Sequence, residues 1–481
     1  MQERMQKTSA QANDCPRRAR TESESYYEGV QTYIRMVEDN IVEVPLDKEH
    51  LLESILSPSN LNQAYKRVKA NKGSGGVDGM SCDNLLAWLR ANKDELIRSL
   101  MDGSYRPNPV RRVEIPKENG KKRLLGIPTV VDRVVQQAIN QILTPIYERQ
   151  FSDNSFGFRP KRSCHKALRK AQSIITEGYV YVVDLDLERF FDTVCHSKLI
   201  EVLSRTIKDG RVISLIHKYL RSGVINHGMF EMSKEGTPQG GPLSPLLANI
   251  MLNELDKELE SRGLHFVRYA DDTMIFCRSK RAAERVRKSI TKYIEGKLHL
   301  KVNKEKTVVS YVRGVKYLGY TFYVYKGKCE LAVHPKSKAK MHSRLKEITC
   351  RSNGWGYAKL KQVLRYYVKG WVNYYHLANM KQFAQRTDEW LRRRLRMCIW
   401  KLWKKPMTRA KNLIKCGIDK YLAWKCGYAR GYWHVVDTPV LHKAISTAGM
   451  RRQGYTFLYD EYVKWGSKKG TAVCGTARTV V

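Results

Sequence analysis

The sequence predicts a multidomain protein of the α+β class. The chain has 481 residues and 42% of them are hydrophobic, which suffices for two or three domains with a substantial core. The run from Tyr179 to Val183 has the β-rich composition of a strand that is covered on both faces. Apolar residues at helical spacing, as at Leu360, Leu364 and Val368, predict helices toward the C-terminus.

The charge balance points to a polyanionic partner. Lys and Arg number 87 against 47 Asp and Glu, a formal net charge of +40. Solubility does not require that much charge of one sign, whereas phosphate binding with counterion release rewards it. No apolar run is long enough to span a bilayer and residues 1–25 are polar, so we expect no signal peptide, no membrane partner and a cytoplasmic location. The 11 cysteines form no Cys-x-x-Cys pair, which argues against a zinc ribbon or finger.

The N-terminal third contains a polar extension, a glycine-rich loop and a basic hairpin. We expect residues 1–50 to be flexible, with a short helix near Tyr33–Val37. The loop Asn71–Gly79 carries four glycines, so we expect it to be flexible and able to approach another backbone closely. Residues 110–117 alternate like a strand, and residues 121–128 return after the Asn-Gly turn at 119–120. Arg111 and Lys117 on this hairpin are candidates to face a triphosphate, although a solvated basic hairpin is equally compatible with the pattern.

A capping signal and an aromatic, cationic segment follow. Thr129-x-x-Asp132 resembles a capping box at the start of a helix over 132–146, with Asp in place of Glu. In the segment 155–163, Arg159 lies among aromatic and basic residues, a combination that suits a nucleic-acid backbone and stacked bases.

Two acidic stretches carry the expected chemistry. The strand at 179–183 runs into Asp184 and Asp186, which point to one side because they are two residues apart. The sequence Tyr269-Ala270-Asp271-Asp272 reads as a tight turn between two short strands. Adjacent carboxylates repel each other, so a divalent metal with oxygen ligands is expected to compensate them. For the tetrapeptide alone, a solvated turn is an equal alternative; the second acidic stretch favours the metal.

Four further segments extend the candidate site. The Pro/Gly loop 236–245 permits close backbone approach, and its Gln239 offers donors and acceptors to a base or ribose edge; an ordinary connector is the alternative. Lys306 follows a predicted short strand and is a candidate nucleotide-binding residue. The segment Val315–Phe322 predicts another strand. The segment 391–405 has seven cations and no acid. We interpret Arg392, Arg393, Arg394 and Arg396 as an RNA-binding surface rather than as solubilising charges.

The order of the motifs resembles that of reverse transcriptases (maturases) encoded by bacterial group II introns, in particular the compact class C type. The resemblance covers about residues 51–462 and rests on Gly126-Ile127-Pro128-Thr129, Phe156-Gly157-Phe158-Arg159-Pro160, Asp186 through Phe191, Thr237-Pro238-Gln239-Gly240, Tyr269-Ala270-Asp271-Asp272 and Leu318-Gly319-Tyr320. It implies a right-hand polymerase whose fingers and palm combine an antiparallel sheet with helices. The implied domains are the flexible extension (1–50), the N-terminal loop region and fingers (51–178), the palm (179–325), an all-helical thumb (326–410), a small C-terminal DNA-binding region (411–465) and a disordered tail (466–481).

The resemblance also assigns roles to residues. It places two Mg²⁺ ions, for which Mn²⁺ can substitute, on Asp186, Asp271, Asp272 and the backbone of Leu187. Phe191 becomes a steric gate against the ribose 2′-hydroxyl, with a packing aromatic as the alternative. The triphosphate faces Arg111 and Lys117, and Gln239 lies under the incoming nucleotide. The loop residues Asn71, Lys72 and Gly73 clamp the template, and Val315–Phe322 forms the primer grip.

The activity implied is an RNA-directed DNA polymerase, a nucleotidyltransferase that also assists intron splicing and mobility. The expected partners are group II intron RNA, an RNA template–DNA primer duplex, dNTPs and target DNA, for a nucleoid- or ribonucleoprotein-associated monomer or homodimer. No Cys-x-x-Cys pairs or His-rich segment of an HNH endonuclease follow the thumb, so second-strand cleavage is not expected. The alternatives are a splicing maturase with incidental polymerase activity and a related reverse transcriptase used in anti-phage defence.

Overall fold

The computed structural model describes residues 32–37, 40–45, 49–116, 120, 122–226, 228–233, 235–237 and 240–475. The chain divides into two compact units, with the boundary between Tyr311 and Val312. Residues 312–325, which we assigned to the palm, therefore group with the C-terminal helices.

The N-terminal extension contains a hairpin rather than a helix. Strand β1 (Thr32–Val37) pairs antiparallel with β2 (Asn40–Pro45), so the helix predicted near Tyr33–Val37 is wrong. Residues 1–31 lie outside the described part of the chain, and their predicted flexibility stays a prediction.

The first unit interleaves helices with short strands. The helices are α1 (Leu51–Ile55), α2 (Pro58–Ala70), α3 (Leu85–Met101), α4 (Val130–Glu148), α5 (Cys164–Thr176), α6 (Phe190–Thr193), α7 (His196–Thr206), α8 (Gly210–Arg221), α9 (Ser244–Ser261) and α10 (Lys280–Lys297). The strands are β3 (Val110–Pro116), β4 (Lys122–Ile127), β5 (Tyr181–Leu185), β6 (Val224–Asn226), β7 (Met229–Glu231), β8 (His265–Tyr269), β9 (Asp272–Cys277) and β10 (Val308–Tyr311). Helices α7 and α8 are separate helices, because the Asp209 side chain accepts a hydrogen bond from the Arg211 backbone N–H and starts α8.

Two four-stranded sheets organise this unit. One has the order β10-β5-β9-β8 with every pair antiparallel, and α10 packs on β5, β9 and β10. The other has the order β4-β3-β6-β7, and here β3 and β6 are parallel. The predicted hairpin of β3 and β4 is confirmed, with Arg111 opposite Ile127. The parallel β3–β6 pair was not predicted from the sequence.

Helix α4 is the central helix of the core of the first unit. Its apolar positions recur at helical spacing, and Val134, Val135, Ala138 and Ile139 are almost completely buried. The capping interaction predicted from Thr129-x-x-Asp132 is confirmed: the Thr129 hydroxyl accepts a bond from the Asp132 backbone nitrogen at 3.2 Å. That hydroxyl donates to the Asp132 carboxylate at 2.6 Å, which also accepts the Tyr105 hydroxyl at 2.7 Å.

The second unit is a hairpin followed by helices. Its strands are β11 (Tyr320–Tyr325) and β12 (Lys328–Val333), and its helices are α11 (Pro335–Ile348), α12 (Tyr357–Tyr375), α13 (Lys381–Leu402), α14 (Pro406–Lys415), α15 (Lys420–Tyr428), α16 (Tyr432–Val435), α17 (Pro439–Ala444), α18 (Thr447–Arg452) and α19 (Leu458–Gly475). The predicted stripe on α12 is confirmed, because Leu360, Leu364 and Val368 are buried. Helix α19 continues to residue 475, so the disordered tail predicted from residue 466 is wrong for residues 466–475.

The start of α19 is attached to α13 through one carboxylate. Asp388, buried on α13, accepts the backbone N–H groups of Leu458 at 2.9 Å and Tyr459 at 2.8 Å. Burial raises the pKa of Asp388 to about 6, and the two N–H donors oppose that shift. These contacts satisfy donors that the first turn of a helix otherwise leaves without partners.

The segment predicted as a strand at Val315–Phe322 is a tight turn that leads into β11. Tyr317 and Tyr320 exchange backbone hydrogen bonds of 3.0 and 2.8 Å around Leu318 and Gly319. The turn is held by side chains of the same unit, since the Tyr374 hydroxyl donates to the Leu318 carbonyl at 2.9 Å. The Ser337 hydroxyl donates to the Gly319 carbonyl, also at 2.9 Å.

Thr129→Ala should lower the free energy of unfolding by about 1–2 kcal/mol, because the α4 cap loses its side-chain acceptor. Thr129→Ser keeps the hydroxyl and should retain most of the stability. Urea titration of both variants, followed by circular dichroism, measures the difference. Equal losses would show that the threonine methyl group, rather than the cap, carries the effect.

Candidate active site

The two acidic stretches meet at one end of the central sheet. Strands β5 and β9 pair so that Asp184 opposes Met274 and Leu185 opposes Thr273. Continuing this register by one residue sets Asp186 opposite Asp272, the first residue of β9. The strand pairing therefore brings together carboxylates that lie 86 positions apart in the sequence.

The negative charges of these carboxylates affect one another's pKa values. The pKa of Asp184 is raised to about 6, mainly by burial and also by the negative charges of Asp272 and Asp186. Like charges at this spacing favour a bound cation, because each carboxylate disfavours ionisation of its neighbours.

A cation of the protein itself contacts this cluster. The Lys306 ammonium lies 3.0 Å from Asp186 Oδ2. Lys306 lies just before strand β10 rather than after a strand, which corrects our placement. The lysine side chain is 66% exposed, and ion pairs this exposed contribute about 0–1 kcal/mol, so displacing the ammonium costs little.

The backbone that follows Asp186 is pinned beside the cluster. Leu187 forms an antiparallel bridge with Val302. In this bridge the Asn303 N–H donates to the Asp186 carbonyl at 2.9 Å, and the Glu188 N–H donates to the Lys301 carbonyl at 2.8 Å. Neither bond uses the Leu187 carbonyl, the atom that we assigned to metal binding.

The acidic turn is a two-residue hairpin loop with little tolerance for movement. Tyr269 opposes Asp272, and Ala270 adopts a left-handed conformation with φ of 59°. Gly157 packs directly behind it: a Cβ at residue 157 would fall on the Ala270 backbone nitrogen and lie 3.0 Å from the Ala270 Cα. Any side chain larger than that of glycine at this position therefore displaces the turn.

A buried arginine ties the same turn to α9. Arg268, fully buried, donates to the Ala270 carbonyl at 2.9 Å and forms a two-pronged ion pair with Asp256, with bonds of 2.8 and 2.5 Å. Arg268 also donates to Asn249 Oδ1 at 3.0 Å, and Asn249 donates to the Gly157 carbonyl at 2.8 Å. Sequence reasoning missed all three residues. A cation inside the apolar run 266–269 is the signal that could have identified a buried ion pair.

Phe191 lines a cavity of about 210 Å³ beside β3 and β4. Its ring is half-buried and packs edge-on against Phe190. The carbonyl of Phe191 accepts the Thr237 N–H at 2.6 Å, and His196 contacts the Gly236 carbonyl at 2.7 Å, so the Pro/Gly loop and the aromatic residue are positioned together. Other residues lining the cavity are Val110, Arg112, Leu124, Gly126, Arg189, Asp192, Val224, Ser233, Glu235, Gly236 and Thr237.

The close backbone approach expected of the Pro/Gly loop is present at Gly240. This residue has a φ of 128°, and a Cβ there would overlap the Gly126 carbonyl oxygen of β4. Gln239 and Lys117 lie outside the described residues, so their expected places at the nucleotide stay predictions.

The glycine-rich loop is held by two arginines rather than being free. Arg111 Nη2 donates to the Gly75 carbonyl at 2.9 Å, and Arg133 donates to the Ser74 carbonyl. The Cys82 thiol donates to the Gly73 carbonyl at 3.3 Å. These hydrogen bonds restrain the loop at residues 73–75, whereas Asn71 and Lys72 remain exposed. The flexibility that we expected from its glycines stays a prediction.

Comparisons with known proteins place both units in families. Residues 115–322 match the model of the reverse transcriptase (RNA-dependent DNA polymerase), and residues 338–417 match the maturase-specific domain of group II introns. Protein YkfC of Escherichia coli (strain K12) is 36% identical over 313 residues, which cover 56% of this chain and 82% of that protein. The group II intron-encoded protein LtrA of Lactococcus lactis subsp. cremoris is 33% identical over 336 residues, which cover 56% of each chain.

The chain belongs to the group II intron reverse transcriptases. The predicted family and the right-hand polymerase fold are thereby confirmed, and family membership implies RNA as a partner. The carboxylates, Phe191 and the acidic turn all lie within the reverse transcriptase match. None of the helices in the described part of the chain combines the length and apolarity that crossing a bilayer requires.

The maturase-specific match contains four arginines that we predicted to bind RNA. Two of them contact backbone carbonyls of the protein, and the other two are exposed or partly exposed. Arg396 is buried and donates to the Ile445 carbonyl at 3.2 Å, and Arg394 donates to the Thr349 carbonyl at 2.9 Å at the end of α11. Both therefore stabilise the fold, contrary to our expectation. Arg392 is partly exposed, and exposed Arg393 pairs with Asp437 at 2.7 Å.

Arg159 is also structural. In the reverse transcriptase unit its side chain is 2% exposed and pairs with Glu148 at 2.9 Å. It donates to the Ser152 and Ser155 carbonyls at 2.5 and 2.8 Å, which orders the loop before Gly157. The RNA-binding role predicted for Arg159 is therefore wrong.

Reverse transcriptases use divalent metal ions, and the residues at the sheet end have suitable chemistry for one. Carboxylate oxygens are the preferred ligands of Mg²⁺, and the ammonium of Lys306 already balances part of their charge. Among the described residues, however, no three His, Cys, Asp or Glu side chains are grouped closely enough to hold a single ion.

Gly157→Ala should reduce the rate of primer extension by at least about 10-fold, because the added methyl group displaces the backbone of the acidic turn. Steady-state extension on an RNA template measures the effect. Gly296→Ala on α10 is the matched control, since no atom other than those of its chain neighbours and the nearby backbone of the same helix lies within 4 Å of the added Cβ. A fully active Gly157→Ala enzyme would show that the turn tolerates the displacement.

Proposed function

We propose that this chain is an RNA-directed DNA polymerase that extends a DNA primer on an RNA template and also acts on its own group II intron RNA. The observation that supports this most directly is the β5–β9 register, which brings Asp186 to the Asp271–Asp272 turn inside the reverse transcriptase match. The substrates are dNTPs, and the products are an extended primer and pyrophosphate.

The chemistry needs Asp186, Asp271 and Asp272 as the carboxylates that hold two Mg²⁺ ions, with Mn²⁺ as a substitute. Such ions activate an attacking hydroxyl and stabilise a leaving pyrophosphate. The protein's own contribution is positioning: the primer 3′-hydroxyl attacks the α-phosphate in line, in a site whose dipoles are already oriented. Asp184 adds negative charge to the same strand end.

The nucleotide site is proposed to lie beside Phe191. The half-buried ring projects into a cavity next to Gly126 and Thr237, where it would block a ribose 2′-hydroxyl. Gln239 would lie under the incoming base, and Arg111, Lys117 and Lys306 would reach the triphosphate. Lys306 is suited to this because its exposed ion pair with Asp186 is weak, so the ammonium exchanges one anion for another at little cost.

The nucleic-acid partners are assigned to two exposed regions. Asn71, Lys72 and Gly73 lie on the loop held by Arg111 and Arg133, and they are proposed to clamp the template. Arg392 and Arg393 on α13 are proposed to contact RNA phosphates. A net charge of +40 supports binding that is strong at low salt and weakens as salt rises. Target DNA binding by residues 411–465 completes the proposal for mobility.

The maturase-specific match favours a second function, assistance of intron splicing through RNA binding. This function depends on holding RNA in its folded form and requires no transfer of nucleotides. The two functions therefore separate when the carboxylates are removed and the RNA-binding surface is left intact.

Asp272→Ala should lower primer extension by at least about 100-fold, as expected when a group that stabilises charge in the transition state is lost. Binding of intron RNA and splicing of the intron should persist. Extension with dNTPs on an RNA template, with and without Mg²⁺, and a splicing assay on the same protein measure both. Asp94→Ala, an exposed aspartate on α3, is the control, and an active Asp272→Ala enzyme would refute the assignment.

Phe191→Ala should raise the catalytic efficiency for ribonucleotides on the order of 10²-fold, because the ring no longer excludes a hydroxyl group. Efficiency with dNTPs should change only a few-fold. Phe191→Tyr keeps the bulk and should retain discrimination. Single-nucleotide incorporation with each substrate gives the ratio, and unchanged discrimination in Phe191→Ala would reduce this residue to a packing aromatic.

A further inference from the structure

We infer that Arg268, together with Asp256 and Asn249, is a positioning device that holds the acidic turn in the geometry needed for nucleotidyl transfer. The inference rests on the proposed polymerase function and adds residues that touch neither substrate nor metal. Its core is the pair of buried side chains Arg268 and Asp256, both of which are 0% exposed.

The turn needs external support because its own conformation is unfavourable. Ala270 has a φ of 59°, and an L-residue in this region costs about 1–2 kcal/mol. Only two residues, Ala270 and Asp271, connect β8 to β9. Contacts from outside the hairpin must therefore select this conformation over its competitors.

Arg268 supplies that contact at the carbonyl oxygen of Ala270, the residue with the unfavourable conformation. Its Nη1 donates to the Ala270 carbonyl at 2.9 Å, and this carbonyl belongs to the peptide group that leads into Asp271. Fixing that peptide plane fixes the direction in which the Asp271 side chain leaves the backbone. The arginine acts on the carboxylate through the main chain.

Helix α9 supplies the fixed reference. Asn249 and Asp256 are seven residues apart, so both lie on one face of this helix. Asp256 holds Arg268 Nε at 2.8 Å and Nη2 at 2.5 Å, and Asn249 Oδ1 holds Nη1 at 3.0 Å. The guanidinium is thus fixed in its plane by three acceptors before it reaches Ala270.

The network closes on the opposite side of the turn. Asn249 Nδ2 donates to the Gly157 carbonyl at 2.8 Å, and Gly157 packs against the Ala270 backbone. The Arg268 main chain is bound to the same loop, with Asn154 O accepting its N–H at 2.9 Å and Phe156 N donating to its carbonyl at 2.8 Å. Helix α9 therefore contacts both groups that hold the turn, the Arg268 side chain and the Gly157 backbone.

A purely stabilising role does not require this chemistry. Apolar residues of similar volume stabilise a core as well as a buried ion pair does, because desolvation offsets much of the Coulomb attraction. What the forked pair adds is direction, since a guanidinium between two fixed acceptors has one orientation. That property is useful where a carboxylate must be placed within a few tenths of an ångström.

The test compares Arg268→Lys and Asn249→Ala with the wild type. Arg268→Lys keeps the charge beside Asp256 but loses the forked geometry that reaches Ala270 and Asn249. For both variants we expect kcat for primer extension to fall at least about 10-fold and half-saturating Mg²⁺ to rise. The KM for dNTP and the Kd for the RNA–DNA duplex should stay within about 3-fold, because neither variant alters those surfaces.

Asp209→Asn is the control for lost stability alone. Asp209 is a buried carboxylate that accepts the Leu52 N–H at 3.0 Å and takes no part in the turn. Its variant should lower the melting temperature without changing kcat or the Mg²⁺ dependence at a temperature where it is folded. A kcat for Arg268→Lys and Asn249→Ala as high as that of Asp209→Asn would overturn the inference.

Amide hydrogen exchange gives a readout that needs no activity. Peptides covering residues 268–273 should exchange faster in Arg268→Lys, while peptides from α10 should not change. If the wild type extends no primer, the polymerase proposal fails while exchange still decides whether the arginine holds the turn. If the wild type is active and both exchange and kcat of Arg268→Lys are unaltered, only the positioning inference fails.

Discussion

The register between β5 and β9 is the constraint on which the site depends. Strand pairing allows steps of one residue only, and a slip of one residue would turn every side chain of β5 to the other face. The native register is selected by burial, because Val182, Val183, Ile275 and Phe276 fill the core when Asp184 faces Met274. The hydrophobic core therefore sets the separation of the carboxylates, and their mutual repulsion is tolerated at the end of the strands.

Around this register, the surrounding residues limit movement rather than add further chemistry. The capped helix α4 carries Arg133, which holds the glycine-rich loop, and the Pro/Gly loop fixes the carbonyl of Phe191. Each contact joins a segment that we propose to reach substrate to one that lies in the core. The unit thus positions segments from distant parts of the sequence through hydrogen bonds to backbone carbonyls, groups that are almost always paired when they are buried.

Much of this arrangement could be predicted from the sequence, and the failures have physical causes. Periodicity and the cap at Thr129 located the helices, and the order of motifs located the acidic cluster. Charge alone could not tell binding arginines from structural ones: Arg393 is exposed, whereas Arg394 and Arg396 turn to backbone carbonyls of neighbouring helices. Those acceptors are distant in sequence and leave no local signal. The strand predicted through Leu318 and Gly319 failed because β-forming residues on both sides masked a turn that tyrosine and serine hydroxyls hold from other elements.

The Asp388 carboxylate, which holds the start of α19, also determines how much of the chain the folded maturase-specific region must include. The family match ends at residue 417, yet Asp388 inside it depends on the backbone donors of Leu458 and Tyr459. A fragment cut at the end of the match would bury an acid without its donors, or expose the face of α13 that α19 covers. The smallest autonomous version of this unit is therefore longer than the stretch by which sequence comparison recognises it.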